Sequence, residues 1–291
     1  PDIVEGFTRI VLEKPFGRDT PTCQNLLDAL KRQKWLESNL FRMDHYLGKE
    51  MVQNILIMRQ SNPWLQGIWC KEMVESVHII LKEPFQPDSR NGYFDSCGII
   101  RDVVQSHLLQ ILSLVAMELP VAVDSSNNSN NNGNWETEEI RNAKVEVLKN
   151  IPKVHLRDCL LGQYDGYRDD PTFINRETIT PTYATVKLDV NTPTWKGVPF
   201  VLEAGKALDE RLCEVRMHFH GSTASQPNAL VMRLQPIPAL FFCANVKTPG
   251  YSEAPLSTHV GMDYASAASK IPDAYTSLIL DVVRGRQTSF M

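Results

Sequence analysis

The 291-residue sequence lacks closely spaced glycines and closely spaced cysteines. Its 15 glycines contain no G-x-G arrangement, so the dinucleotide fingerprint and the P-loop, which bring backbone close to phosphate, are both excluded. The six cysteines lie at least 27 positions apart, which excludes the C-x-x-C pairs of zinc knuckles and thioredoxin-like proteins. We expect reduced thiols in a cytoplasmic compartment, and the spacing predicts no metal site.

The sequence also lacks a large excess of either charge and any long apolar run. Thirty basic and 34 acidic residues give a net charge of −4, so nothing in the composition favours nucleic acid as a partner. No apolar run approaches the roughly 18 residues of a membrane helix, and the first five residues do not resemble a signal peptide. Because the chain begins at Pro1, we expect a piece of a longer protein.

Hydrophobic periodicity predicts an α+β fold with a large, mainly antiparallel sheet and helices on one face. Alternating apolar residues predict the strands of this sheet at 75–82, 183–190, 213–219 and 230–234. A buried strand at 7–12 precedes them, without partners before it. Helices are predicted from Thr20, which we assign as the cap, and over 49–58, 98–117 and 275–283, the last ending at Gly285. Residues 124–134 are rich in asparagine, which predicts a low-complexity surface loop. The loop contains one glycosylation sequon, at Asn127, and such tripeptides arise by chance in polar runs.

Polar residues cluster most densely between Arg42 and Glu50, just before a predicted helix. Cations and hydrogen-bond donors at a helix N-terminus suit a phosphate, because the free N–H groups and the helix dipole favour an anion. The simpler alternative is a capped helix with a solvated first turn. A second cluster, from Gly205 to Arg211, suits either phosphate or sugar hydroxyls, or is an ordinary charged turn.

His107 lies in the apolar stripe of the longest predicted helix. It is either a buried core histidine or a general base held by a carboxylate. Asp102 lies in the same helix but roughly 140° away around an α-helical wheel. A carboxylate from another segment is therefore needed to orient the imidazole.

Three segments together resemble the glucose-6-phosphate dehydrogenase family. Residues 42–50, RMDHYLGKE, are similar to its substrate signature, and residues 13–17, EKPFG, to one of its turns. Residues 92–110, beginning GYFD, resemble its helix that carries the motif Q-N-H-L-L-Q. The resemblance runs in order along nearly the whole chain, through LGQY at 161–164 and IPDAY at 271–275.

The resemblance implies a reaction and a set of roles. The family transfers hydride from C1 of glucose 6-phosphate to NADP⁺, the entry step of the pentose phosphate pathway. His107 is then the general base and Asp44 the carboxylate that orients it. Lys14, before a cis-proline, contacts both substrate and coenzyme. The phosphate is bound by His45, Tyr46 and Lys49, and the sugar by Glu83, Asp102 and Lys206, with Arg211 and Gln235 nearby.

The resemblance also implies a domain organisation. Residues 1–20 correspond to the end of a Rossmann-type coenzyme domain, 21–40 to a connecting helix, and 41–291 to the substrate-binding and dimerisation domain. The family dimerises through the large sheet, so a homodimer or a dimer of dimers is expected. Some members bind a second NADP⁺ through basic and aromatic side chains. Here basic or tyrosine residues would be expected at four positions that hold Glu203, Leu212, Phe241 and Cys243, and only Arg216 remains. We therefore expect no second coenzyme site.

Two alternatives accompany the enzyme hypothesis. The first is a non-catalytic relative that binds a sugar phosphate or another subunit. The second is a hexose-6-phosphate form of the enzyme from the lumen of the reticulum. Retention of Asp44, Lys49, Asp102, His107 and Lys206 favours the enzyme. We expect the isolated chain to be inactive, because most of the coenzyme domain is missing from it.

Overall fold

The computed structural model describes residues 6–87, 91–120, 137–169, 171, 177–221, 227–267 and 271–291. The asparagine-rich loop predicted at 124–134 and its sequon lie outside these residues. The α-helices are α1 (Thr20–Arg32), α2 (Glu50–Ser61), α3 (Asn91–Ile99), α4 (Leu109–Ala116), α5 (Thr137–Lys149), α6 (Tyr264–Ala267) and α7 (Ala274–Arg284), and a π-helix covers Ile100–Leu108. The strands are β1 (Ile10–Glu13), β2 (Leu40–Met43), β3 (Val74–Lys82), β4 (Cys159–Gly162), β5 (Tyr183–Asp189), β6 (Pro199–Gly205), β7 (Leu212–Phe219), β8 (Ala229–Gln235), β9 (Ala239–Lys247) and β10 (Pro255–Asp263).

The chain forms two compact units. The first contains Pro1–Lys49, Pro120–Arg141 and Pro272–Met291, and the second contains Glu50–Leu119 and Asn142–Ile271. The chain thus passes between the units four times, once within α5.

The second unit is built on an eight-stranded sheet with the order β10-β9-β8-β7-β3-β6-β5-β4. Every neighbouring pair is antiparallel except β3 and β6, which run parallel. Helix α2 packs on β8, and the π-helix packs on β3 and β6. One side chain in two is buried along β3, from Val77 through Ile79 to Leu81, because alternate residues of a strand face opposite sides. The predicted α+β fold with a mainly antiparallel sheet is confirmed.

The first unit contains a two-stranded parallel sheet, in which Ile10 pairs with Leu40 and Glu13 with Met43. The sequence predicted β1 but assigned its partners to missing strands, and β2 was not predicted. Helix α7 and its C-cap are confirmed, since Gly285 has a φ of 75°, which glycine adopts without strain. A small core of Phe41, Met43, Leu278 and Phe290 joins the sheet to this helix.

The cap of α1 differs from the prediction. Asp19, rather than Thr20, is the N-cap, and its side chain accepts a hydrogen bond from the N–H of Thr22 at 2.9 Å. The side chain of Thr22 returns a bond to the backbone of Asp19, which completes a capping box. Thr20 is the first helical residue, because a helix cap lies one position before the first residue with helical dihedrals.

The longest predicted helix begins earlier and is less regular than its apolar stripe indicated. It starts at Asn91, turns at Gly98 where φ is 68°, and continues as the π-helix into α4. A π-helix pairs residues five apart, so Asp102 and His107 lie closer around the axis than on an α-helix. The estimate of 140° between them, made for an α-helix, is therefore wrong.

Over Gly92–Ala116 the same helix is long and apolar enough to cross a membrane, whereas the sequence was expected to contain no such run. In its most apolar 18-residue stretch, 61% is buried inside the protein, as in the core helix of a folded domain. Its last carbonyls are also satisfied by the protein itself. The indoles of Trp69 and Trp195 donate to Val115 and Ala116 at 2.8 Å each, and Arg59 donates to Met117 at 2.8 Å.

Candidate active site

The carboxylate of Asp44 is held by two groups within the first unit. Its Oδ1 accepts the N–H of Tyr46 at 2.9 Å, which caps the short 3₁₀ turn His45–Gly48. Its Oδ2 accepts the ammonium of Lys14 at 2.9 Å, and the carboxylate is fully buried. The Lys14–Pro15 peptide is cis, as the resemblance implies. Lys14 thus contacts a residue to which the sequence assigned a catalytic role.

The three residues expected to bind phosphate lie within five positions after Asp44. The ring of His45 stacks on Tyr275 with centroids 5.7 Å apart, and the ammonium of Lys49 lies 4.8 Å from the centroid of Tyr46. Tyr46 is buried, so a solvated first turn, the simpler alternative, does not describe this segment. An imidazole and an ammonium carried by a buried, capped turn form an arrangement that suits an anion.

Gly48 explains why this turn needs a residue without a side chain. A Cβ at Gly48 would lie 2.5 Å from the carbonyl oxygen of Ala274 and 2.7 Å from Cγ of Leu278. Both contacts are with α7, whose N-terminal half packs on the turn. Glycine at this position therefore allows the close approach of the turn to the helix.

In the second unit, the sheet register brings four predicted site residues to one end of neighbouring strands. Lys82, the last residue of β3, pairs with Gly205 of β6 and with Leu212 of β7. Glu83 and Lys206 directly follow β3 and β6, Arg211 precedes β7, and Gln235 ends β8 opposite Cys213. The N–H of Glu83 donates to the carbonyl of Gly205 at 2.9 Å, which fixes the two strand ends together.

Lys206 is the centre of this group. Its ammonium lies 2.6 Å from the carboxylate of Glu83 and 3.6 Å from that of Asp102. The ring of Phe94, which the sequence did not single out, lies 5.2 Å from the same ammonium. Two carboxylates and an ammonium supply acceptors and donors for neighbouring hydroxyl groups, as a sugar requires. We call Glu83, Asp102 and Lys206 the sugar cluster.

Arg211 and Gln235 contact each other, with Nε of Arg211 donating to Oε1 of Gln235 at 3.4 Å. Lys82, beside Glu83, instead pairs with Asp209 and Glu210 at 3.2 and 3.5 Å. The turn between Lys206 and Arg211 therefore combines an ordinary charged pairing with the sugar cluster. The sequence noted the charges of this turn but had no signal for the pairing of Lys82 across it.

His107 lies near the end of the π-helix and is half-buried, whereas Leu108 and Ile111 beside it are fully buried. A core histidine, the simpler alternative from the sequence, would be enclosed in the same way as those two residues. The hydroxyl of Ser106, which replaces the usual asparagine of the family motif, donates to the backbone carbonyl of Asp102. A half-buried imidazole at this position can serve as a general base.

The described residues offer limited contacts for a coenzyme. Lys14, the residue expected to contact the coenzyme, pairs with Asp44, and the sequence contains no glycine-rich cradle. Arg216, the remaining basic residue considered for a second coenzyme, pairs with the fully buried carboxylate of Glu214, as does Arg233 of the neighbouring strand. The absence of a second coenzyme site stays a prediction.

Comparisons with known proteins agree along the whole chain. Residues 56–291 match the model of the glucose-6-phosphate dehydrogenase C-terminal domain, and residues 2–54 match that of its NAD-binding domain. A glucose-6-phosphate 1-dehydrogenase of Ceratitis capitata is 44% identical over 98% of this chain and 55% of its own length. Relatives in Arabidopsis thaliana include one named cytoplasmic, 41% identical over 98% of this chain and 55% of its own length, and one named chloroplastic.

A solved structure gives the same result for the fold. A glucose-6-phosphate dehydrogenase in complex with its substrate glucose 6-phosphate has a TM-score of 0.86 and 40% identity, covering 97% of this chain and 59% of that one. This chain thus spans about half the length of the curated relatives it matches. With two consecutive domain models matched and identity above 40%, the chain belongs to the glucose-6-phosphate dehydrogenase family.

Proposed function

We propose that this chain carries the glucose 6-phosphate-binding part of an NADP-dependent glucose-6-phosphate dehydrogenase. The observation that carries the proposal is the sugar cluster, in which the ammonium of Lys206 lies 2.6 Å from Glu83 and 3.6 Å from Asp102. Asp102 precedes His107 by five residues on the same helix. The relative solved with glucose 6-phosphate supports the choice of substrate.

In the proposed reaction, C1 of the sugar loses a hydride and its hydroxyl loses a proton. When bound, NADP⁺ supplies the hydride acceptor. His107 takes the C1 hydroxyl proton, so that C1 becomes the carbonyl carbon of 6-phosphogluconolactone, and Asp44 is the carboxylate assigned to orient it. Glu83, Asp102 and Lys206 hold the sugar hydroxyls, with Arg211 and Gln235 nearby.

The phosphate and the coenzyme are assigned to the first unit. His45, Tyr46 and Lys49 bind the phosphate of the substrate, and Lys14 contacts substrate and coenzyme. We retain residues 1–20 as the end of a coenzyme domain, 21–40 as a connection and 41–291 as the substrate domain. A homodimer through the large sheet and a cytoplasmic location complete the proposal, the latter supported by the relatives named cytoplasmic.

The experiment combines binding with turnover in one preparation of the purified chain. Equilibrium dialysis should find binding of glucose 6-phosphate but not of unphosphorylated glucose, and no formation of NADPH at a normal enzymatic rate. Normal reduction of NADP⁺ would contradict the proposed dependence on further coenzyme-binding residues. Absence of glucose 6-phosphate binding would contradict the proposed substrate.

A further inference from the structure

Asp95 joins three hydroxyl groups from a distant part of the second unit. Its Oδ1 accepts the phenol of Tyr167 at 3.1 Å and the hydroxyl of Thr178 at 2.5 Å, and its backbone carbonyl accepts the hydroxyl of Thr180 at 2.8 Å. These partners lie 72 to 85 positions away in the sequence. Asp95 therefore fixes α3 to the loop segments that flank β4 and β5.

The hydrogen bonds of Asp95 are part-buried, and the phenol of Tyr167 stays a donor. Tyr167 is 1% exposed, and burial together with the Asp95 carboxylate raises the pKa of its phenol. The phenol thus keeps its proton and donates at physiological pH. Its ring also packs edge-on against Phe94, with centroids 6.2 Å apart.

The segment held by Asp95 reaches both sides of the sugar cluster. Gln163 donates to the carbonyls of Thr178 and Thr180 at 3.2 and 3.0 Å, which makes 178–180 part of a closed network. The next two residues bond to both sides of the cluster: the carbonyl of Pro181 accepts the N–H of Ile99 at 3.0 Å, and that of Thr182 accepts the N–H of Lys206 at 3.0 Å. One short segment is therefore bonded to the start of the π-helix and to Lys206.

We propose that Asp95 is a positioning residue that sets the separation between the Lys206 ammonium and the Asp102 carboxylate. Asp102 lies on the π-helix, three residues after Ile99. The backbone N–H of Lys206 is bonded to Thr182, and its ammonium lies over the ring of Phe94, the neighbour of Asp95. Loss of the Asp95 bonds releases Thr178 and Thr180 from α3, so the segment that holds both Ile99 and Lys206 is no longer fixed in place. The inference rests on the proposed function, because the sugar hydroxyls are what the fixed separation serves.

The test measures glucose 6-phosphate affinity by calorimetry for the purified chain and three variants. Asp95→Ala should weaken binding about tenfold, which is the loss expected for hydrogen bonds to a charged group. Asp95→Asn should restore affinity to within about twofold, because its side-chain oxygen still accepts both hydroxyls. Ser96→Ala, which removes a local hydroxyl bond in the same helix, is the control and should leave affinity unchanged.

Two readouts separate positioning from loss of folding and from failure of the proposed function. Affinity for inorganic phosphate should be equal in all variants, and amide exchange at Ile99 and Lys206 should accelerate in Asp95→Ala even without ligand. If Asp95→Ala unfolds, Tyr167→Phe, which keeps the ring and loses the donor, should give a smaller loss in the same direction. Unchanged affinity and exchange would overturn the inference, whereas failure of the unaltered chain to bind sugar phosphate would overturn the proposed function alone.

Discussion

At the scale of single residues, Lys206 has the largest part in the account. Its ammonium contacts both carboxylates of the sugar cluster, and its side chain is only 11% exposed. The sequence identified it as one of two cations in a charged turn. The family resemblance gave it a role, but its pairing with Glu83 depends on the register of β3 with β6, which no local pattern encodes.

Lys206→Met should weaken glucose 6-phosphate binding by about ten- to a hundredfold, because a hydrogen bond to a charged group is lost and two carboxylates then repel each other. Calorimetric titration of the purified variant measures the change. Lys187→Met, on the exposed side of β5, removes the same charge far from the cluster and is the matched control. Equal affinities for the two variants would contradict the role assigned to Lys206.

The imidazoles of His78 and His218 predict a pH dependence of stability. Their rings lie 5.1 Å apart on neighbouring strands, and burial lowers the pKa of both below the ordinary value of 6.5. Arg216 lowers both pKa values further, and His78 lowers that of His218, while Glu203 and Glu75 act in the opposite direction.

Because the unfolded chain binds these protons more readily, stability is complete above the unfolded pKa and is lost as pH falls through the folded values. Urea unfolding from about pH 8 to about pH 5 should show a loss of stability that is smaller in the variant carrying His78→Gln and His218→Gln. An identical pH dependence in both proteins would show that other groups are responsible.

At the scale of secondary structure, regular hydrophobic patterns predicted strands and regular helices correctly, but not the irregular helix that carries His107. Strand β3 and helix α7 were predicted from their periodicities, and the structure agrees within two residues at each end. The π-helix was not foreseen, because an apolar stripe indicates which face is buried but not whether bonds run to the fourth or the fifth residue. That difference changed the angle between Asp102 and His107 around the helix axis.

The packing of α7 on the turn at Gly48 predicts a sharp effect of one methyl group. Gly48→Ala should lower the free energy of unfolding by about 1–3 kcal/mol, as overpacking against a fixed backbone does. Thermal denaturation measures it. Gly67→Ala is the control, since a Cβ at Gly67 meets nothing within 4 Å. Equal melting temperatures for the two variants would show that α7 moves away at little cost.

At the scale of the whole molecule, the fold class followed from the order of helices and strands, and the family from three motifs. The roles of the site residues came from the resemblance, since composition and spacing left a charged turn and a capped helix open as alternatives. The network around Asp95 could not be predicted, because Tyr167, Thr178 and Thr180 come from segments whose approach depends on the sheet. The chain's span of 55% of its relatives' length makes substrate binding, rather than turnover, the property to measure first.

The most direct measurement is a crystal structure of this chain grown with glucose 6-phosphate. We expect sugar hydroxyls within hydrogen-bond reach, roughly 2.6–3.2 Å, of Glu83, Asp102 and Lys206, with the C1 hydroxyl facing the His107 imidazole. A sugar ring bound elsewhere in the second unit, with Lys206 still closed on Glu83 and His107 out of reach of C1, would contradict it.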